Sequence, residues 1–180
     1  MPELTFAGYM MAAMDACRYV KHHMKTGAAN NPLKELDRGP IGHLEAWLTV
    51  KSERSDIDLT ILRRGVKEWD INGTMEVWAE KAKTYGAGNC GEQSALAFSY
   101  LKGRRVQPID WAHFNNRDHA FVLVNRPKDL INGKLKEKLD QVILCDPYYQ
   151  RTGTLSEFPE YNVEVIGLLL HMEDGVVVGA

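Results

Sequence analysis

The segment Gly88-Asn89-Cys90-Gly91-Glu92-Gln93-Ser94-Ala95-Leu96-Ala97-Phe98-Ser99-Tyr100-Leu101-Lys102 decides the fold. Past its first turn, a helix over 90–102 is apolar on most of its sides. A helix of that kind belongs at the centre of a domain. Gly103 is placed to stop it. Upstream, apolar residues recur at helical spacing; downstream of Lys102 they fall into short runs typical of strands. The chain therefore reads as α+β, with a helical N-terminal half and a central helix carrying Cys90 packed on an antiparallel sheet.

Phe6, Met10, Met14, Cys17 and Met24 mark an amphipathic helix over about 6–25, ending before Gly27. Asn30, Asn31 and Pro32 read as a loop, and Trp47, Leu48 and Val50 as core. Residues 56–69 fit a helix, but Ile57, Leu59 and Ile61 alternate well enough for a strand, so both readings stand. Thr74 is a plausible N-cap for a helix through Lys83 that ends at Gly86 and Gly88. Two strands are clear: His119 to Val124, and Gln141 to Cys145 closed by Asp146-Pro147. Lys128 to Asp140 is charged and reads as an exposed helix or long loop. A last strand is expected over Val163 to Leu170. No repeat or low-complexity stretch divides the 180 residues, which read as one domain.

Composition narrows the function classes. The net charge is −2, from 22 basic and 24 acidic residues, so no overall positive field recruits nucleic acid or an anionic membrane. Met1 to Gly8 lacks the order of a signal peptide. No apolar run reaches the length of a membrane span, since Glu164, His171, Glu173 and Asp174 interrupt the longest. Cys17, Cys90 and Cys145 are too few, and odd in number, for a disulfide framework. Metal binding is disfavoured as well, because no C-x-x-C pair exists and the neighbours His22 and His23 diverge around a helix. Gly86 to Gly91 is glycine-rich but lacks the G-K-[ST] of a phosphate loop. Arg63-Arg64 and Arg104-Arg105 read as solvated surface.

One constellation carries chemistry. Cys90 opens the central helix, where unpaired N–H groups and the macrodipole favour a thiolate and can hold a developing oxyanion. A thiol nucleophile needs a base, and His119 begins the first clear strand. An imidazole needs an orienting acceptor, and Asp146 ends the second. If the strands pair antiparallel, the two ends are neighbours. Alternation puts His119 with Phe121 and Leu123, and Asp146 with Val142 and Leu144, which would aim both polar groups at the central helix. His113 is a rival base, and Asp118 and Asp110 are rival orienters. A buried Cys is most often a small hydrophobe, which is the reading for Cys17 and for Cys145, on the face opposite Asp146. Taken singly, His119 is an ordinary strand-end histidine and Asp146 a turn former before Pro147; only the joint placement is unusual.

Gly88-Asn89-Cys90-Gly91-Glu92 before an apolar helix, Asp118-His119-Ala120-Phe121-Val122-Leu123-Val124, and Val142-Ile143-Leu144-Cys145-Asp146-Pro147 followed by Gly153 resemble the papain-like toxin and effector domains of bacteria. That family includes cysteine proteases and protein-glutamine deamidases, and transglutaminase-like enzymes are more distant relatives. The resemblance covers about residues 86–153. It implies a papain-like fold with Cys90 as nucleophile, His119 as base and Asp146 as orienting acid. The glutamine that papain places before its cysteine has no counterpart, leaving Asn89 and Gln93 as the candidate oxyanion or auxiliary amides.

The implied protein is a thiol amidohydrolase with no cofactor, acting on a target protein. Residues 1–70 would form a substrate- or partner-binding part and 71–180 the catalytic core. Glutamine deamidation leads, with peptide cleavage, a transferase that uses an amine in place of water, and a non-catalytic binding module as alternatives. The family context implies a bacterial cytoplasmic origin, delivery into a host or competitor cell, and an immunity or chaperone partner.

Overall fold

The computed structural model describes residues 4–26, 28, 32–126, 138–161 and 166–179, with the backbone alone for 32–41 and 43. In chain order the elements are α1 (Phe6–His23), α2 (Pro32–Arg64), α3 (Ile71–Tyr85), α4 (Cys90–Gly103), β1 (Ile109–Phe114), β2 (Ala120–Val124), β3 (Ile143–Asp146), β4 (Arg151–Thr154), β5 (Ile166–Glu173) and β6 (Val176–Gly179). The strands form one antiparallel sheet in the order β4-β3-β2-β1-β5-β6. The architecture is α+β with helices preceding strands. Among the described residues no helix is long and apolar enough to cross a membrane.

The two faces of the sheet carry separate cores. Strand alternation sends Val122, Val124, Ile143 and Cys145 toward the helices, where they meet Ala95, Leu96, Phe98 and Leu101 of α4 and Ala13, Cys17 and Val20 of α1. Phe121, Leu123, Val142 and Leu144 point the other way, onto Phe114, Leu155 and Tyr161. Small side chains on α4, with Ala95 and Ala97 fully buried, let it lie close to the sheet. α4 is therefore central, as its sequence requires.

Several expectations need correction. Helix α1 runs where the periodicity places it, but its buried stripe is Tyr9, Ala13, Ala16, Cys17 and Val20, while Phe6 and Met14 are exposed. Small residues decide that face because they allow close approach. Pro32 is not in a loop: it is the first residue of α2, a position where its missing N–H costs nothing. Asn30 and Asn31 lie outside the described residues. The strand alternative over 57–61 is ruled out, since α2 runs through to Arg64 with Ile57 buried and Leu59 exposed. Trp47 and Leu48 are exposed at 46% and 52%, whereas Val50 faces inward.

Helix α3 starts earlier than Thr74 because Asp70 caps it, its carboxylate accepting the Gly73 N–H at 2.8 Å. Gly86 ends α3 in the left-handed region. Gly103 is the last residue of α4, and the turn is completed by Arg104 and by Arg105, itself left-handed at φ 58°. The strands β1, β4 and β6 carry too few alternating apolar residues to announce themselves, and β5 extends to Glu173. Residues 128–137, expected as helix or loop, and 163–165, expected as the start of the last strand, lie outside the described residues.

Candidate active site

The N-terminus of α4 is held from three sides. The Asn89 N–H donates to Glu92 Oε2 at 2.9 Å, closing a capping box. The other Glu92 oxygen accepts Arg54 Nε of α2 at 2.9 Å. Gln93 Nε2 donates to the Gly88 carbonyl at 2.7 Å. These contacts fix the backbone on either side of Cys90. Gly91 is required by crowding, because a Cβ there would lie 2.5 Å from Trp78 Cζ3. Trp78 in turn meets Trp111 edge to face at 5.9 Å, and Trp111 Nε1 donates to Ser94 Oγ at 2.8 Å.

Opposite this helix end stands His119. Its Nε2 donates to Asp146 Oδ2 at 2.6 Å, which leaves Nδ1 on the other side of a ring that also feels the Cys90 thiol. Cys90 Sγ lies 4.0 Å from the Asp118 carbonyl oxygen. Asp146 is fully buried and fully satisfied. One oxygen accepts the N–H groups of Tyr148 and Tyr149 at 3.0 and 3.1 Å, while the other accepts the Tyr161 hydroxyl as well as His119. Phe114, Phe121, Tyr148, Tyr149 and Tyr161 surround the imidazole with ring centroids 5.0 to 6.3 Å away. Burial among them pushes the His119 pKa down, but the hydrogen bonds to Asp146 and Cys90 outweigh it, and the value is pushed up to about 9.

The structure thus brings Cys90, His119 and Asp146 together, by a different route from the one alternation suggests. β2 and β3 do pair antiparallel, with Val122 opposite Cys145. The face shared by Phe121, Leu123 and Leu144, however, is turned away from α4. His119 precedes the first residue of β2, at the end of the sheet, and α4 brings only its N-terminus to that end. The three groups meet at a seam between the two cores.

The other candidates occupy defined places. Asn89 lines the cavity beside Cys90, whereas the Gln93 amide braces Gly88 and does not line it. His113 and Asp118 line the cavity, and among the described residues His113 has no carboxylate partner. Asp110 lies in a separate buried cluster, paired with Arg126 at 2.7 Å through two nitrogens and with His171 at 2.7 Å. Cys17 and Cys145 are buried in the helical core with their sulfurs 3.6 Å apart. Arg63, Arg64, Arg104 and Arg105 are exposed, with Arg64 bridging to Glu80 of α3. Among the described residues no cluster of three or more His, Cys, Asp or Glu is arranged to hold a metal.

The chain matches no family model and no curated protein sequence.

Tyr161, Arg54, Glu92 and the two tryptophans are components that sequence reading missed. The Asn89-x-x-Glu92 spacing is a readable capping-box signal. For Tyr161, 15 residues from its partner Asp146, spacing carries no signal. Glu53, next to Arg54 on α2, is fully buried near Gly88, and among the described residues neither of its carboxyl oxygens has a hydrogen-bond partner. Burial, with the Glu92 carboxylate adding to it and Arg54 opposing, pushes its pKa up to about 8.

Proposed function

We propose that this protein is a papain-like thiol amidohydrolase that converts a glutamine side chain of a target protein to glutamate. The observation that carries the reading is His119, bonded through Nε2 to a buried carboxylate and close enough to the thiol at a helix start for that thiol to raise its pKa. A protonated imidazole against a thiol favours the thiolate. In the proposed cycle Cys90 attacks the amide carbon, and first-turn N–H groups of α4, with Asn89 beside them, receive the oxyanion. His119 gives its proton to the leaving nitrogen and ammonia departs, leaving a thioester. His119 then takes a proton from water, which attacks the thioester and frees Cys90. Asp146 touches neither substrate nor sulfur; it holds the imidazole in position.

The cavity beside Cys90 favours a side-chain amide over a peptide bond. It has a volume of about 230 Å³, with Trp78, Trp111 and Leu169 as an apolar wall. That is room for one side chain, its methylenes against the indoles and its amide at the sulfur. Within this proposal the protein is an effector that acts in another cell, and α1 and α2 contribute to holding the target.

The test is incubation of the purified protein, and of Cys90→Ala, with a cell lysate. A gain of one dalton on specific glutamines together with released ammonia, both absent with the variant, is the expected result. Peptide fragments without that gain would establish a protease. If neither appears and Cys90 alkylates no faster than Cys17 and Cys145, the catalytic reading is lost and a binding module remains.

A further inference from the structure

Two guanidinium groups line the cavity that holds Cys90, and each is anchored from inside with part of its fork left over. Arg54 donates its Nε to the buried Glu92, and among the described residues its two Nη groups have no protein partner. Arg117 lies over the Phe114 ring, 3.7 Å from its centroid, and donates one Nη to the Glu160 carbonyl at 2.8 Å. No carboxylate pairs with Arg117 among the described residues. Glu160, whose carbonyl Arg117 holds, has its own carboxylate occupied by Arg151.

The remaining charges around the cavity do not cancel both. Asp118 is its one carboxylate and acts electrostatically on Arg54, without a salt bridge among the described residues, so that Arg117 is left uncompensated, and the raised His119 adds positive charge. A guanidinium held flat on an aromatic ring loses little freedom when it takes up an anion, because its fork is already oriented. The apolar wall of Trp78, Trp111 and Leu169 stands beside this cationic rim. An apolar stem and an anionic neighbour therefore suit the cavity together.

We propose that the site selects amides flanked by a carboxylate, with Arg117 and Arg54 as specificity-determining residues that bind an Asp or Glu side chain next to the target glutamine. This rests on the amidohydrolase reading for its substrate, but the anion preference itself is separable from turnover.

Two measurements test it. The first compares alkylation of Cys90 by iodoacetate and by iodoacetamide, which differ in charge and need no catalysis. The iodoacetate-to-iodoacetamide rate ratio is expected to fall about threefold in Arg117→Gln and further in Arg117→Glu, in line with loss of one partly solvated ion pair. Arg117 is exposed, so both variants keep the fold. The second compares glutamine peptides flanked by Glu, phosphoserine, Ala or Lys. The Glu peptide is expected to lead the Ala peptide in kcat/KM by about fivefold, with Arg117→Glu reversing the order in favour of Lys.

A phosphoserine peptide well ahead of the Glu peptide would overturn the carboxylate assignment. A rate ratio unchanged in both variants would overturn the anion site altogether, even if deamidation occurs. If the ratio follows the charge while no peptide is deamidated, the anion site stands and the amidohydrolase reading fails.

Discussion

Glu53 offers the sharpest test of the charge arrangement behind the site. Its carboxyl is fully buried with no hydrogen-bond partner among the described residues, and its pKa is pushed from 4.5 to about 8, first by burial and then by Glu92. In the unfolded chain the same group ionises near 4.5, so between those pH values the folded state holds a proton that the unfolded state has released. Stability is then greatest below pH 4.5 and falls as pH rises toward 8. At about 1.4 kcal/mol per pH unit, the penalty reaches up to about 3 kcal/mol at pH 7.

Glu53→Gln retains the shape and removes the ionisation. It is expected to exceed the natural chain by less than about 1 kcal/mol at pH 5 and by about 3 to 4 kcal/mol at pH 7.5. Urea unfolding followed by tryptophan fluorescence at the two pH values measures both. His119 also loses its contribution as pH rises, from its ordinary value of 6.5 through about 9, but equally in both proteins, so it cancels in the comparison. If the variant is the less stable protein at pH 7.5, Glu53 has a stabilising ionic partner and the reasoning is wrong.

Three further outcomes follow from the site. Asp146→Asn removes the carboxylate that raises His119, so the titration of the His119 imidazole, expected near about 9 and followed by NMR, should move down by about one pH unit or more; an unmoved titration would mean that Asp146 does not set the imidazole charge. Tyr161→Phe leaves a buried carboxylate oxygen with one donor fewer and is expected to cost about 1 to 3 kcal/mol in urea unfolding, against no change if water replaces the hydroxyl. Gly91→Ala puts a Cβ into Trp78 and is expected to cost about 1 to 3 kcal/mol and to slow Cys90 alkylation, whereas unchanged stability would show that Trp78 moves aside freely.

The fold was legible where one local rule acted alone. α4 could be read because its apolar residues leave no polar face, and β2 because Phe121 to Val124 form a continuous apolar run. α2 could not, since a helix start at Pro32 and a surface that keeps Trp47 and Leu48 exposed both depend on tertiary neighbours. For the site, chain order and the helix start pointed to Cys90, His119 and Asp146, while residue parity gave the wrong face. Parity describes positions within a strand, and His119 lies just outside one. Tyr161 and Arg54 reach the site by long-range packing that no spacing encodes.

The seam between the two cores has a consequence for partly folded forms of the protein. Cys90 opens a helix of the helical layer, whereas Phe114, Phe121 and Tyr161 beside His119, with the Tyr161 hydroxyl on Asp146, come from the opposite layer. A species that keeps its helices but has shed the covering around Leu155 to Tyr161 would expose a thiol without an oriented base. Under the proposed function such a form would turn over no substrate as the chain folds, and activity would begin only when the second layer closes.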